Sequence, residues 1–472
     1  MRLENEISTR YIRGYLLCRT DDAPVPDHWG TWPLPAGWTL YADTRLNVQL
    51  YRFEGMVVGF LGDVLADSSE PAILPAVAGR LAKVMNSDAP QMERIVSRLA
   101  GRFVAFTVSN SAEVRVQQSG TALRSVFWAT DGTAVSGHEN LSAEAADRRG
   151  DPDFDISTLR ELGLSYAPGA RTAWSEVRRL TANTELKIDG SSATIRRVVE
   201  EVPEPLQADE AADILVASFE AQLDSLFRRY ETAIVPLTAG LDSRASLAVL
   251  SPYWSRCKFF TYQMTKSARS DFVRSDVETG GMIARAIGVD RTVVAVGEDQ
   301  RSTSTAVTMK QNNSRPSTTL VAWHLRKQFP KVPLHLVSSA FEIGNAHYLG
   351  RRRPPMDAVS MAGLIVRPGG SISDRAVNGF EEFIAETSFP LEGDWISPYE
   401  RFYWEHRVSV WGSSVALDFD WAQETLTLMS SRTLAHAMLA VSHEEKRSKA
   451  VQRAIIRRAS PELLSFPINQ RG

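Results

Sequence analysis

Residues 235–244 read Val-Pro-Leu-Thr-Ala-Gly-Leu-Asp-Ser-Arg, an apolar strand running into a small-residue turn that carries one carboxylate and two hydroxyls. A strand that ends this way ahead of a helix points to an α/β architecture. Small side chains at Ala239 and Gly240 let the backbone close tightly, so amide N–H groups and the following helix N-terminus converge where an anion can sit. Asp242 is then the expected Mg²⁺ ligand, with Thr238 and Ser243 donating to phosphate oxygens. Any α/β protein needs small residues at such a turn for geometry alone, so the flanking pattern has to carry the functional reading.

That pattern is α-β-α. Upstream, Ala212, Leu215, Val216, Phe219, Leu223, Leu226, Phe227 and Tyr230 recur at three- and four-residue steps, the signature of a helix with one buried face. Downstream, 257–262 reads as the next strand, and Ser275 with Glu278 forms a capping-box pattern that predicts a helix ending near Gly288. Strands are expected at 291–296 and 332–337, each separated by enough chain for a crossover helix. The expectation is a doubly wound parallel sheet, with ligands bound outside the carboxyl ends of its strands.

A chain of 472 residues is too long for one core, and two prolines and five acids in 200–210 mark a boundary. The expected division is 1–200 and 208–472. Before the boundary, short apolar or alternating runs at 55–65, 101–108, 113–117, 125–129, 134–136 and 185–188 predict a β-rich, sandwich-like unit.

Composition excludes several classes of function. Lys and Arg number 53 against 56 acids, a net charge of −3 that offers no global attraction to nucleic acid or anionic membrane. No stretch approaches the roughly 18 continuous apolar residues of a membrane span, and the first residues lack the apolar core of a signal peptide. Cys18 and Cys257 lie far apart without metal-ligand spacing, as expected of a reduced cytoplasmic protein. None of the eight histidines forms a zinc-type cluster, and His324, His335, His347 and His406 read as structural.

The turn at 238–243 resembles the pyrophosphate loop Ser-Gly-Gly-x-Asp-Ser of the asparagine synthetase family and its ATP pyrophosphatase relatives, with Thr238 for Ser and Ala239 for Gly. The resemblance implies ATP and Mg²⁺ as cofactors, contacts to ATP and pyrophosphate from Leu237, Thr238, Ala239, Gly240, Asp242, Ser243 and Tyr262, and a second metal carboxylate in the segment at 334–348. Glu342 is the only acid available there. In the first part of the chain, Gly-Phe-Leu-Gly-Asp at 59–63, Leu-Ala-Gly-Arg-Phe-Val-Ala-Phe at 99–106, Ala-Val-Ser-Gly-His-Glu-Asn-Leu at 134–141 and Tyr-Ala-Pro-Gly-Ala-Arg-Thr at 166–172 resemble the family's class II glutamine amidotransferase domain. That domain has the N-terminal-nucleophile hydrolase fold. Its glutaminase uses a first-residue cysteine, whereas this sequence reads Met1-Arg2 and holds Cys18 inside an apolar run, so a scaffold without glutaminase activity is expected, as in the β-lactam synthetase branch.

Near the far end, Lys449 and Arg453 match the family's Lys-x-x-x-Arg, a cation placed where acyl transfer develops negative charge; position favours Lys449 over Lys446. The cluster at 399–411 on an expected helix supplies Tyr403, Glu405 as a base candidate, and Arg407 for an acceptor or carboxylate pocket, with Tyr403 and Arg407 on one face. The alternative for that cluster is core with an ion pair on its edge. Arg351–Arg353 reads as a loop that could contact pyrophosphate. The sequence thus points to an ATP-dependent amide-forming ligase acting on a small-molecule carboxylate and an amine or ammonia, and leaves a homo-oligomer open. A non-catalytic nucleotide-binding homologue and a tRNA-modifying pyrophosphate-loop enzyme are the competing readings.

Overall fold

The computed structural model describes residues 8–20, 22–67, 74–84, 89–199, 201–264, 270–297, 304–315, 317–348 and 354–468. Among the described residues, twelve strands fill the part of the chain read as β-rich: β1 (Tyr15–Cys18), β2 (Gly30–Pro33), β3 (Thr39–Ala42), β4 (Val48–Phe53), β5 (Met56–Ala66), β6 (Leu99–Ser109), β7 (Val114–Gln118), β8 (Phe127–Ala129), β9 (Ala134–Ser136), β10 (Val177–Arg179), β11 (Thr184–Asp189) and β12 (Ser192–Arg197). They form two six-stranded sheets, ordered β10-β8-β9-β1-β3-β2 and β12-β11-β7-β6-β5-β4. Leu17, Leu40 and Val135 of the first share one core with Leu61, Phe106 and Val116 of the second, so the sheets are stacked as the expected sandwich. The outer face of the second sheet is covered by helices Leu74–Val84 and Ala89–Ser97, and that of the first by the short helix Glu139–Ala145.

The six strands read from the sequence all form, within about two residues at their ends. The others escaped for a physical reason visible in β1, whose Tyr-Leu-Leu-Cys is buried on every side chain and therefore shows no alternation. Both cysteines are buried core thiols, and burial pushes the Cys257 thiol up to about 12.

The rest of the chain builds a five-stranded sheet from β13 (Ala233–Pro236), β14 (Cys257–Met264), β15 (Arg291–Val296), β16 (Leu334–Val337) and β17 (Glu424–Thr427). Every pairing is parallel and the order is β15-β14-β13-β16-β17. Alternate residues of one strand face opposite cores: Val235 packs with helices Ala208–Arg229, Leu241–Val249 and Ala450–Ala459, whereas Ile234 packs with Thr319–Gln328. β17 went unread because Glu-Thr-Leu-Thr is buried at all four positions yet has one aliphatic side chain. The capping box expected at Ser275 and Glu278 lies inside helix Ser270–Ala286, which begins five residues earlier. The chain turns at Gly288 as expected, with φ of 70°.

The sandwich and the parallel sheet meet through buried charge. Arg102, 1% exposed, donates to both oxygens of Asp420 at 2.5 and 2.6 Å and lies 3.4 Å from Glu424, which also pairs with Arg124. The backbones approach closely beside it, since a Cβ on Gly120 would stand 2.4 Å from the Arg432 nitrogen.

Burial also sets a pH limit. It pushes His138, His335 and His406 down to about 3 and His436 to about 4. A histidine held neutral in this way contributes stability that is complete above its ordinary pKa of 6.5 and is lost as the pH falls toward the folded value. Each should cost about 1.4 kcal/mol per pH unit within that window. Thermal melts from pH 7 to pH 4 should therefore show a steep fall below pH 6.5, and a flat profile there would contradict the neutral assignment.

Candidate functional site

The strand order reverses between β13 and β16, and the turn at 238–243 lies at the carboxyl end of β13, on that reversal. A cleft of about 1060 Å³ opens there. Thr238, Gly240, Asp242, Ser243, Tyr262 and Glu342 line it together with Lys449, Arg453 and Arg447. Residues drawn from four separate stretches of the sequence thus face one space.

The turn is built around its hydroxyls. The Thr238 and Ser243 hydroxyls are 2.7 Å apart, and Ser243 Oγ donates to the Gly240 carbonyl at 2.9 Å. Gly240 caps helix Leu241–Val249 without a side-chain acceptor, so the helix's first N–H groups have no capping oxygen of their own. Its conformation does not require glycine: φ is −72°, and an added Cβ would come no nearer than 3.7 Å to any atom.

Two expected contacts fall elsewhere. Leu237 and Ala239 are buried at 1% and 0% exposure and do not line the cleft. The Ala239 N–H, expected to face an anion, donates instead to Asp276 Oδ1 at 2.9 Å, and its carbonyl accepts from the buried Arg244 at 2.9 Å. Arg244 also holds the Leu463, Phe466 and Pro467 carbonyls, clamping the turn to the end of the chain; burial lowers its pKa to about 10.

Asp242 is positioned by the C-terminal helices. Lys449 Nζ lies 3.3 Å from its Oδ2, and Gln452 Nε2 donates to its Oδ1 at 3.2 Å and to Asn345 Oδ1 at 2.7 Å. Lys449 sits between helices His443–Ser448 and Ala450–Ala459 at φ 53°, the left-handed region. Such a conformation costs about 1–3 kcal/mol in a non-glycine residue. The left-handed turn closes helix His443–Ser448, with the Lys449 N–H donating to the Glu445 and Lys446 carbonyls, and the ion pair of its 35% exposed side chain adds about 0–1 kcal/mol. Lys449→Gly should leave stability unchanged or raise it by up to about 1 kcal/mol. The same variant should lower any adenylating activity about a hundredfold, whereas a parallel fall in denaturation midpoint would mark Lys449 as structural. Lys446, by contrast, is buried against Glu400 at 2.9 Å and turned from the cleft.

The cluster at 399–411 takes its alternative reading, core with ion pairs, and Tyr403, Glu405 and Arg407 do not line the cleft. Glu405 is fully buried, bonded by Arg197 at 2.8 Å to each oxygen, by Arg401 at 3.2 Å and by Asn183 at 3.1 Å. Despite its burial, these partners hold its carboxyl below the ordinary range, so it is an anchored anion and not a base. Residues 403–412 form a π-helix, which shifts the face assigned to Tyr403 and Arg407. Tyr403 is buried with its ring 4.7 Å from that of His347, which lines the cleft. Arg407 stands over the Trp411 ring at 4.2 Å and the Tyr166 ring at 5.1 Å and does not itself line the cleft, which Trp411 does. His406 is a buried core group as expected, whereas His335, equally buried, also borders the cleft. Arg351–Arg353 lies outside the described residues.

The donor set suits Mg²⁺ held jointly with phosphate. Among the described residues no group of three or more His, Cys, Asp or Glu could cage a metal, but Mg²⁺ normally takes one or two carboxylates and completes its shell with phosphate oxygens and water. Asp242 and Glu342 supply two carboxylates to the cleft, and Asp242 would exchange its present side-chain partners for the ion. Sequence reasoning missed Asp276, Asn345 and Gln452. Gln452 alone left a trace, lying between Lys449 and Arg453.

No protein-family model matches the chain, and no curated protein matches it. Solved structures with partial likeness include a glutamine-dependent NAD⁺ synthetase from Acinetobacter baumannii in complex with ADP, at 16% identity over 45% of this chain and 39% of that one, TM-score 0.20. NMN synthetase from Francisella tularensis aligns at 9% identity over 57% of this chain and 100% of that one, TM-score 0.21. Glutamine phosphoribosylpyrophosphate amidotransferase from B. subtilis, complexed with ADP and GMP, aligns at 10% identity over 77% and 74%, TM-score 0.23. The chain spans about two fifths of the NAD⁺ synthetase's length, at 39%. Alignments with TM-scores of 0.20 to 0.23 decide neither fold nor activity, which rest on the geometry described above.

Proposed function

We propose that this chain is an ATP-dependent amide-forming ligase of the asparagine synthetase type, without a glutaminase of its own. The observation that carries the reading is the convergence of Asp242, Glu342 and Lys449 on one cleft at the strand-order reversal. A substrate carboxylate oxygen would form a bond to the α-phosphorus while the bond from that phosphorus to the β-bridging oxygen breaks, its electron pair leaving with pyrophosphate. An amine nitrogen then attacks the acyl carbon, AMP departs, and the amine loses a proton. Mg²⁺ bound by Asp242 and Glu342 would neutralise the departing pyrophosphate. Lys449, Arg447 and Arg453 would hold phosphate oxygens, and the Thr238 and Ser243 hydroxyls would donate to them. Such chemistry asks the protein for positioning and charge and for no nucleophile. Cys18, fully buried in β1, is no candidate for one.

The reaction is expected to run in the cytoplasm on small-molecule substrates, with no nucleic-acid or membrane partner. Among the described residues no helix is long and apolar enough to cross a membrane. A non-catalytic nucleotide binder is the second reading, favoured by the engagement of both Asp242 oxygens by neighbouring side chains. Exchange of labelled pyrophosphate into ATP, dependent on a carboxylic acid, separates the two. An active ligase exchanges label; a binder shows calorimetric heat with Mg²⁺-ATP and no exchange.

A further inference from the structure

The cleft is larger than its polar floor requires. Its lining extends beyond the turn, past Pro236, to apolar residues between the parallel sheet and helices Thr319–Gln328 and Ser413–Asp420, where Phe260, Leu325 and His335 are nearly excluded from solvent and mark the inner end of a recess. Phe260, His335, Val321, Leu325, Val415 and Phe419 line that recess. None is an acid, a lysine or an arginine; the charged groups of the cleft belong to the turn, to Asp276, to Glu342 and to the C-terminal helices. His335 packs its ring 4.9 Å from Phe419 and 5.7 Å from Phe260, and burial holds it neutral, pushed down to about 3.

We propose that the acid activated at this site carries an apolar group of aryl or branched-alkyl size, seated in the recess while its carboxylate reaches the turn at 238–243. The inference rests on the ligase reading. A substrate such as aspartate would bring a second carboxylate or an ammonium into a space offering no counter-charge, and an unpaired ion there is strongly disfavoured. The adenine base is a poorer occupant, because its ring nitrogens and amino group need hydrogen-bond partners. The backbone groups of β14 and β16 beside the recess are already committed to their sheet pairings. Tyr262, 43% exposed at the end of β14, offers the base an aromatic face at the polar end instead.

The test uses the full chain, Mg²⁺-ATP and a series of acids: acetate, aspartate, 4-methylpentanoate and 3-phenylpropanoate. Acid-dependent pyrophosphate exchange should rise with apolar bulk, the aryl acid exceeding aspartate roughly tenfold or more in kcat/KM. Leu325→Trp, which fills the recess, should abolish that advantage while calorimetric affinity for Mg²⁺-ATP is unchanged. Val415→Phe, at a half-buried position, gives the same readout if the first variant does not fold. Aspartate matching or exceeding the aryl acid would overturn the proposal and leave the ligase reading standing. Lost ATP binding in a folded recess-filling variant would also overturn it, assigning the recess to the base. Mg²⁺-ATP binding without exchange for any acid would overturn the proposal together with the ligase reading.

Discussion

Asp242→Ala should abolish acid-dependent pyrophosphate exchange, by about a hundredfold to a thousandfold, in a protein that still folds. The magnitude follows from removing a carboxylate that would hold the divalent ion against the phosphates, a charge interaction needed most as the pyrophosphate departs. The fold should survive because Asp242 lies in the first turn of helix Leu241–Val249, where losing one acid costs roughly 0.3–1 kcal/mol. Asp242→Asn refines the result. It keeps an oxygen for Lys449 and Gln452 but presents no anion, so exchange should remain lost while Lys449 stays in place. Turnover surviving either change would remove the ligase assignment.

Arg102→Ala should have the largest effect on stability. Its guanidinium is the bidentate partner of Asp420 and lies beside Glu424, both nearly excluded from solvent. Removing one member of a buried pair leaves the other charge uncompensated and typically costs about 3–5 kcal/mol. The urea midpoint should fall accordingly. The double variant Arg102→Met with Asp420→Leu should recover part of the loss, since two apolar side chains bury no orphan charge. A single variant as stable as the parent would show that Arg124 and Arg13, whose guanidinium lies 3.5 Å from Glu424, suffice for both carboxylates.

The strand-turn-helix at 235–249 was legible because an apolar strand, a small-residue turn and a one-faced helix each have a local signature. Lys449 stands out only through the resemblance of Lys449 and Arg453 to the Lys-x-x-x-Arg of the asparagine synthetase family. Asp276 was not legible: its contact with the Ala239 N–H joins positions 37 residues apart and leaves no periodic trace. Glu405 is legible only in part: Arg401 stands four residues before it and pairs with it at 3.2 Å, whereas its bidentate partner Arg197 lies 208 residues away. A carboxylate in an aromatic and charged stretch reads alike whether it faces a substrate or a distant guanidinium. The recess was invisible too, because Val321, Leu325 and Phe419 have the spacing of ordinary core and only the cleft shows where that core is incomplete.

The charged seam around Arg102 also bears on how the molecule can be divided. A fragment cut near residue 205 to harvest the C-terminal half would keep Asp420 and Glu424 and lose all three arginines that neutralise them, together with Leu65, Ala122 and Leu123 from its largest core. Expressed by itself, that portion would expose two adjacent anions on an oily surface. Heating the whole chain should accordingly melt both halves in one concerted step.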